Sequence, residues 1–502
     1  MSDLLIRGAR LVPVREGDVA PDDPVDVLVH AGRVVGVGPG VDRPAGAEEV
    51  AADGRWLIPG LWDQHVHFGQ WTLASQRVDA SAVRSPEEAT ALVAERVTAE
   101  PGRPVITWGH RPGVWAREGT VAELDQVSGV IPVVLIAGDG HHGWLNSAAL
   151  AALGLGERDD VVRENEWFAA YDLLTHLTGD DGHAPSAYRQ TLDAAAAQGV
   201  VGMVDFEFMG GVDDWVERWS RGCDRLRVRV ATYADRLEEV IEARLRTGDA
   251  LTEADERLTM GPLKIISDGS LNTRTAWCCE PYADGAKLAQ PAGAANLSEA
   301  ELTALLARAH MSGLEVATHA IGDAAVTAAL DAYAATGARG SIEHAQLIGR
   351  DDVRRIAELD LRASVQPGHL LDDRDLTELI WPGRGMRSFA FRWMLDDDVR
   401  LCFGSDAPVS PLDPWLAMAA AVHRSADDRP AWHPEQAVTV REALAASVDG
   451  QSMVGVGSPA DLVLLDRDPL AAHADPEDAA AALRTMTVAL TVVGGRPVHV
   501  GS

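Results

Sequence analysis

Cysteine is scarce in this chain of 502 residues. The chain has 4 cysteines, and none of them forms a CxxC pair. Such sparse usage in a large chain is typical of reduced thiols, so we expect a cytoplasmic protein. We interpret the neighbouring Cys278 and Cys279 as packing residues rather than a redox pair, and the other two cysteines are Cys223 and Cys402.

Long apolar runs and basic charge are also lacking. No apolar run reaches the roughly 18 residues of a membrane span, and the first residues, MSDLLIRGARLVPV, lack the pattern of an export signal. The 44 basic residues are outnumbered by 76 acidic ones, and the net charge is −32. This charge opposes binding to phosphate backbones or anionic lipid, so we expect neither a nucleic-acid nor a membrane partner. We interpret it as a solvated acidic surface.

The composition otherwise predicts a globular protein with a sizeable core. Hydrophobic residues make up 46% of the chain and charged residues 24%, which is typical of folded domains. The length exceeds what one core usually supports, although α/β barrels with insertions reach this size. We therefore expect one large domain with a smaller one beside it.

Short apolar segments separated by Gly, Asp and Pro occur at both ends of the chain. This alternation is typical of small antiparallel sheets, and neither end alone offers many strands. We predict a small β-sandwich built from both termini, with 1–58 as its N-terminal part and 446–502 as its C-terminal part. The segments are found in 3–58 and at 460–466, 485–495 and 496–500.

Between the two ends, short apolar segments alternate with Ala- and Leu-rich helical stretches such as that near 300–313. This rhythm predicts repeated βα units and a parallel sheet, and eight strands suffice for a closed (β/α)8 TIM barrel. We therefore predict an α/β barrel over 59–445. Its eight strand segments are 61–67, 200–206, 227–233, 263–267, 314–320, 341–345, 363–367 and 401–406.

Two further apolar runs, at 104–110 and 131–138, fall between the first and second of these segments. We place both in an insertion at about 73–190. If one of them were a barrel strand, the strand numbering would shift by one. The histidines, the lysine and the aspartate near the carboxyl ends of the eight segments would still lie at strand ends.

Polar residues interrupt five of the eight apolar strands near their carboxyl ends, where the catalytic loops of such barrels converge. A single barrel histidine is usually a hydrogen-bonded core residue, but four of them with an aspartate favour a site. The first strand carries two histidines two positions apart, so both face the same side and can reach one ion. The residues are His65, His67, Lys264, His319, His344 and Asp406.

Neutral imidazoles and a carboxylate suit a borderline or hard divalent cation such as zinc, manganese or iron. A bound cation would lower the pKa of a coordinated water to about 7, and a neighbouring aspartate would accept the proton. We predict Asp406 as that catalytic base.

The segments LIPGLWDQHVH, LKIISDGSL, THAIGD, IEHAQLI and GSDAPV, in this order, resemble the amidohydrolase superfamily. The resemblance extends over nearly the whole chain, to PADLVLLDRDPL near its end. DGHHGWLNSAAL, DGSLNTRTAW and SVQPGHLLDD further resemble the third amidohydrolase family, the branch that holds N-substituted formamide deformylases and related C–N hydrolases.

This resemblance implies a distorted (β/α)8 barrel in which His65 and His67 bind one ion and His319 and His344 bind a second. Asp406 would ligate metal and transfer protons. Lys264 falls where many members carry a bridging carboxylated lysine. A plain ammonium beside a cation would be repulsive, so we expect Lys264 to be carboxylated, neutral or turned away, or else to form a structural salt bridge. We expect zinc, with two ions if Lys264 is carboxylated and one otherwise.

The loops after the strands offer further candidate substrate-binding residues. The resemblance places His141 near the substrate, whereas His142 departs from the family pattern and receives no role. Asp268 and Arg274 could hold a polar group, although an aspartate flanked by glycine is also a common turn residue. Gln366 and His369 could line the pocket or only satisfy backbone groups. Trp71, and with it Trp115 and Trp144, could form an apolar wall or pack in a core.

These observations predict a metal-dependent hydrolase that cleaves a non-peptide C–N bond of a small molecule, such as an amide, formamide or cyclic amide. A metal-activated hydroxide would attack, and Asp406 would act as general base and acid. An esterase, deaminase or decarboxylase on the same scaffold is the alternative, because the fold does not fix the reaction. A non-catalytic scaffold would be expected to have lost metal ligands. A homodimer is left open.

Overall fold

The computed structural model describes residues 3–112, 115–138, 142–174, 177, 184–208, 210–253 and 255–501. The chain divides into two compact units, one formed by Met1–Phe68 with Leu192–Ser502 and the other by Gly69–Thr191. The predicted insertion at about 73–190 falls within the second unit, and the finer domain boundaries stay a prediction.

The N-terminal segment forms five strands before the barrel begins. Alternating apolar residues put one face of these strands into a core that contains Leu4, Ile6, Val27 and Leu57. β1 pairs antiparallel with β2 and parallel with β4 and β5. The strands are β1 Leu4–Leu11, β2 Val25–His30, β3 Arg33–Gly38, β4 Glu48–Ala51 and β5 Trp56–Pro59, and the first barrel strand, β6 Leu61–Val66, follows.

The second unit contains a five-stranded sheet in the order β11-β10-β9-β8-β7. The apolar runs at 104–110 and 131–138 form β8 and β9, which pair in parallel within this sheet and not in the barrel. Its strands are β7 Val78–Asp79, β8 Val105–His110, β9 Val133–Ala137, β10 His142–Leu145 and β11 Val162–Arg163. The helices from residue 68 to 197 are α1 Phe68–Ser75, α2 Pro86–Ala99, α3 Val121–Ser128, α4 Ser147–Ala152, α5 Glu164–Asp172 and α6 Pro185–Ala197.

The parallel barrel is confirmed, and each of its eight predicted segments overlaps a strand. The order is β19-β18-β17-β16-β15-β13-β12-β6, and β14 adds an antiparallel strand beside β15. Strands β6 and β12 are buried at every position, as expected of strands covered on both faces. The strands are β12 Val200–Asp205, β13 Arg227–Thr232, β14 Ala250–Thr252, β15 Asp255–Ile266, β16 Val316–Ala320, β17 Gly340–His344, β18 Arg362–Val365 and β19 Arg400–Phe403.

The first and last barrel strands approach each other at their carboxyl ends, so the barrel is nearly closed. Val66 and Ala407 form a parallel bridge there. The backbone N–H of Asp406 donates to the carbonyl of His65 at 2.6 Å, and that of His67 donates to the carbonyl of Ala407 at 2.9 Å. The closure is therefore made by the backbone of the predicted site residues His65, His67 and Asp406.

Helices follow the barrel strands as the βα pattern predicts, and the stretch near 300–313 contains α9. No described helix is long and apolar enough to cross a lipid bilayer. The helices are α7 Val212–Ser220, α8 Leu237–Glu242, α9 Glu299–Met311, α10 Asp323–Thr336, α11 Arg350–Glu358, α12 Leu370–Ile380, α13 Phe391–Asp396, α14 Pro414–His423, α15 Val440–Ala446 and α16 Pro476–Arg484.

Strands from the two ends of the chain share one sheet. The C-terminal strands are β20 Leu462–Leu465, β21 Val488–Val493 and β22 Arg496–Val500. β20 pairs antiparallel with β5, which gives the order β22-β21-β20-β5-β1-β2-β3. The pairing of the two termini thus agrees with the predicted arrangement, while a two-layer sandwich stays a prediction.

Candidate metal centre

The barrel brings four of the predicted residues to the carboxyl ends of neighbouring strands. His65 lies on β6 and His67 directly follows that strand. His344 is the last residue of β17, and Asp406 follows β19 by three residues. All four side chains are buried.

His65, His67 and Asp406 form one group whose ligand atoms lie within 4.8 Å of one another. The Oδ1 atom of Asp406 is 3.5 Å from His65 Nε2 and 3.3 Å from His67 Nε2. Two imidazoles and a carboxylate that converge in this way can hold a divalent cation.

A second group with the same spacing consists of His344, His369 and Asp406. Here the other carboxylate oxygen of Asp406, Oδ2, is 3.5 Å from His369 Nε2. Sequence reasoning gave His369 two alternatives, lining the pocket or satisfying backbone groups, and neither was a metal ligand. Its position in QPGH, directly after a barrel strand, is the signal that could have marked it as a ligand.

Buried nitrogen atoms test whether these residues suit a cation. Within the described residues, His67 Nδ1, His344 Nδ1 and His369 Nε2 have no hydrogen-bond partner, although a buried polar atom left without one is costly. Imidazole nitrogens beside a carboxylate match the donors that zinc and similar cations prefer. The residues therefore fit a divalent cation.

His319 belongs to neither group. Its Nε2 atom lies 3.2 Å from the carbonyl oxygen of Gly269 and 3.4 Å from Asp268 Oδ1, so this nitrogen already has partners. Its ring centroid is 4.5 Å from that of His344. The barrel thus brings His319 to the edge of the site, and its predicted role as a ligand stays a prediction.

Glu343 is a site residue that sequence reasoning missed. Its Oε2 atom is 2.7 Å from His65 Nδ1, and Ser341 donates its hydroxyl to Oε1. Burial alone would raise the pKa of Glu343, but the contacts with His65 and the charge of Lys264 hold it below its usual value. A carboxylate that accepts Nδ1–H leaves Nε2 as the nitrogen of His65 that carries a lone pair, which is the form that can bind a cation.

Lys264 points into the site. Its Nζ atom lies 3.2 Å from His65 Nε2 and 4.2 Å from the centroid of the Phe206 ring. Burial lowers the pKa of Lys264 to about 8. Of the alternatives for Lys264, the position of Nζ disfavours a side chain turned away from the site. A proton on Nζ would repel a cation held by His65, and a neutral or carboxylated Lys264 stays a prediction.

The protonation states suit metal ligands. Burial, with the charge of Lys264, lowers the pKa of His65 to about 4 and that of His319 to about 3. Burial also holds the pKa of His344 well below its usual value. Burial would raise the pKa of Asp406, but the neighbouring imidazoles keep it well below its ordinary value. At neutral pH these are neutral imidazoles and a carboxylate, the forms that bind metal.

Two predicted substrate-binding residues have other partners in the structure. Asp268 is fully buried and accepts backbone N–H groups from Trp277, Ile321 and Gly322 at 2.9 to 3.0 Å. Arg274 donates from Nε to Asp284 at 2.7 Å. Asp268 therefore orders the loops around β16, and contacts of either residue with substrate stay predictions.

The other residues predicted to contact substrate are one glutamine, one histidine and three tryptophans. Gln366 is buried and donates to the carbonyl of Ser364 at 3.2 Å, in line with the alternative that it satisfies a backbone group. His141 lies outside the described residues. Trp71 is half-buried on α1 within the second unit, and Trp115 and Trp144 pack in an apolar core of that unit.

An apolar surface that sequence reasoning did not identify lies beside the histidines. The ring of Phe208 stacks on His67 with centroids 4.6 Å apart and is 50% exposed. Phe206 contacts His65 at 4.6 Å, and Tyr233 contacts Phe208 at 5.4 Å. These rings can cover an apolar part of a substrate.

Comparison with known proteins identifies the family. Residues 48–499 match the family described as the amidohydrolase family. The N-substituted formamide deformylase of Arthrobacter pascens is 27% identical, over 99% of this chain and 98% of that protein. The protein LONG AFTER FAR-RED 3 of Arabidopsis thaliana is 27% identical, over 80% of this chain and 74% of that protein.

A solved structure is similar over most of the chain. It is an uncharacterized metal-dependent hydrolase from Pyrococcus furiosus, 25% identical, with a TM-score of 0.75 over 93% of this chain and all of that one. Because the family match extends over most of the sequence and the barrel assembles the His and Asp cluster, the chain belongs to the amidohydrolase family and is a hydrolytic enzyme acting on C–N bonds.

Proposed function

We propose that the protein is a metal-dependent hydrolase of a non-peptide C–N bond in a small amide, formamide or cyclic amide. The observation that carries this proposal is the convergence of His65, His67, His344 and Asp406 in one buried cluster at the carboxyl ends of the barrel strands. The amidohydrolase family and the similarity to a formamide deformylase support the choice of bond.

The proposed chemistry uses one side chain for proton transfer. A divalent cation, most suitably zinc, would polarise the substrate carbonyl and lower the pKa of water. Asp406 is ionised because its pKa is held well below the ordinary value. It can accept the proton of the attacking water and donate it to the leaving amine nitrogen.

The other residues hold and orient the reacting groups. His65 and His67, whose Nε2 atoms face Asp406, would hold a cation, and Glu343 would fix the tautomer of His65. Phe206 and Phe208 supply an apolar surface next to these histidines. Carboxylation of Lys264 would replace its positive charge by a negative one beside His65, and it stays part of this proposal.

Several predictions from composition accompany this proposal. We propose a small-molecule substrate, no nucleic-acid or membrane partner, and a cytoplasmic location. The excess of acidic over basic residues supports the absence of nucleic-acid and membrane partners, because it opposes binding to polyanions.

A substrate screen of the purified protein tests the proposal. Formamides, N-acyl amines, cyclic amides, esters and aminated heterocycles would be compared after loading with zinc and after removal of metal by a chelator. We expect amide hydrolysis that requires metal. We also expect Asp406→Asn to lower kcat by at least about 100-fold, because general acid–base catalysis contributes that much. Turnover of esters without any amide would contradict the proposal.

A further inference from the structure

We propose that a cleft beside the terminal sheet binds a small aromatic carboxylate, in the chemical class of benzoate. This terminal cleft lies between the end of β1 with the segment that follows it, the start of β5, the first turn of α15 and the segment after β20. None of its residues belongs to the metal centre, so the inference does not depend on the proposed function. The residues on which it rests are Arg10, Pro13, Trp56, Arg441, Asp468 and Leu470.

Strand pairing places an arginine and a tryptophan side by side in the cleft. β1 and β5 run parallel, and Arg10 is paired directly with Trp56. Because side chains alternate between the two faces of a sheet, these two share one face. The following pair, Leu11 and Leu57, lies in the apolar core on the other face. The cleft therefore combines a cationic group with a neighbouring aromatic ring.

Two guanidinium groups line the cleft without an acidic partner. Arg10 donates from one nitrogen to the carbonyl of Asp22 at 3.3 Å, and Arg441 donates from one nitrogen to the carbonyl of Pro13 at 2.6 Å. Within the part of the chain that the structure describes, neither forms an ion pair with a carboxylate. The other nitrogen atoms of each group remain for a ligand, and their planar fork matches the two oxygens of a carboxylate.

The charge of the cleft favours an anion with a single charge. Asp468 also lines the cleft, and its Oδ1 atom accepts the backbone N–H of Leu470 at 2.8 Å. Among the described residues it forms no ion pair with either arginine. Two cationic groups and one carboxylate leave an excess of one positive charge, which suits a monocarboxylate better than a doubly charged phosphate.

The size and the apolar wall of the cleft limit the rest of the ligand. Its volume is about 290 Å³, close to the lower end of the range for ligand pockets, so a compound with a single ring suits it. Trp56 is half-buried, and Pro13, Pro21 and Leu470 complete the apolar wall. The prolines fix φ in the segments that carry them, so this wall is formed in advance. An aromatic ring can pack against the indole in an offset or edge-on arrangement.

An NMR titration of the full-length protein tests the inference without depending on activity. The tryptophan indole N–H groups would be labelled with ¹⁵N, and the signal of Trp56 would be assigned as the one that is absent from Trp56→Phe. Benzoate is the probe, and it is compared with inorganic phosphate and with benzyl alcohol, which has the ring without the charge. Because the measured signal belongs to Trp56, benzoate bound at the metal centre is not mistaken for benzoate in the cleft.

Arginine variants identify the groups that hold the carboxylate. Arg10 is exposed, so Arg10→Gln is not expected to disturb the fold. Arg441→Gln removes the second guanidinium, and Arg441→Lys keeps the charge but loses the planar fork. Arg33→Gln is the matched control, since Arg33 is exposed and likewise donates to a backbone carbonyl, that of Gly457 at 3.1 Å.

We expect benzoate to shift the Trp56 signal to a plateau in wild type and in Arg33→Gln, at concentrations where benzyl alcohol and phosphate leave it in place. Arg10→Gln and Arg441→Gln should each weaken benzoate binding by at least about 10-fold, the effect of removing a charge-assisted hydrogen bond. Arg441→Lys should bind with intermediate affinity. A Trp56 signal that does not respond to benzoate, an equal response to benzyl alcohol or phosphate, or unchanged benzoate affinity in Arg10→Gln would overturn the inference.

Discussion

Glu343 is a buried side chain whose carboxylate contacts a predicted metal ligand. Its carboxylate lies 2.7 Å from His65 Nδ1 on the side away from Asp406. Outer carboxylates of this kind fix the tautomer of a histidine and make its other nitrogen a better donor. We expect Glu343→Gln, which keeps the size of the side chain but removes its charge, to weaken metal binding by roughly 10- to 100-fold.

Calorimetric titration with Zn²⁺ would measure this effect, with Glu358→Gln, at the exposed end of α11, as the matched control. The melting temperature of the metal-free variant would be recorded as well, because a purely structural role would change it without changing metal affinity. If Glu343→Gln and wild type bound Zn²⁺ with equal affinity, metal binding by His65 would not depend on Glu343.

Sequence reasoning identified residues whose position in a pattern is informative. His65, His67, His344 and Asp406 interrupt apolar strands, and strand periodicity is visible in the sequence. The partners of Glu343 and Arg274 could not be predicted from such a pattern. Glu343 is one residue from His344, but its function arises from a partner 278 positions away in the chain, and the pairing of Arg274 with Asp284 depends on the path of a loop.

At the scale of elements, the ends of β17 and β19 position the site through unusual backbone conformations. Asp406 and His344 both have left-handed backbones, with φ of 56° and 70°, which is uncommon for residues other than glycine. Such conformations concentrate at functional sites, where the surrounding structure maintains them. The strand pattern in the sequence predicted that Asp406 and His344 lie near a site. It does not reveal that the backbone adopts a left-handed conformation at these two residues.

Gly404 allows the last strand to approach the first. A Cβ atom at this position would lie 2.6 Å from the backbone nitrogen of His65 and 2.7 Å from its Cβ atom. Because these atoms belong to the backbone or lie next to it, they cannot move away cheaply. We expect Gly404→Ala to displace His65, to weaken metal binding, and to lower the free energy of unfolding by about 1–3 kcal/mol, as overpacking does.

Chemical denaturation and metal titration would check this expectation. Gly455→Ala is the matched control, since the nearest atom to its added Cβ would be 3.9 Å away, an ordinary contact. A Gly404→Ala variant with wild-type stability and wild-type metal affinity would show that β6 and β19 are farther apart than the structure indicates.

At the scale of the whole molecule, strand order and the pairing of the two termini could be predicted because both depend on repeated apolar segments. That eight strands close a barrel could also be predicted, but the residues that join the first strand to the last could not, because they lie far apart in the chain. Besides the backbone hydrogen bonds near His65, Asp63 Oδ1 accepts the N–H groups of His65 and Ser405 at 3.1 and 2.9 Å. The ligand group of His65, His67 and Asp406 spans the same junction.

A cation held by that group would connect the first barrel strand to the last and so stabilise the closed barrel. Binding to the folded state at 100 times Kd contributes about 2.7 kcal/mol, which for a chain of this size corresponds to a rise in Tm of a few degrees. We expect Tm, measured at a fixed scan rate, to be higher with Zn²⁺ than with a chelator in wild type. The same difference should vanish in Asp406→Asn, because an amide lacks the negative charge of the carboxylate that faces both histidines. A difference of equal size in both proteins would mean that zinc stabilises the chain at some other place.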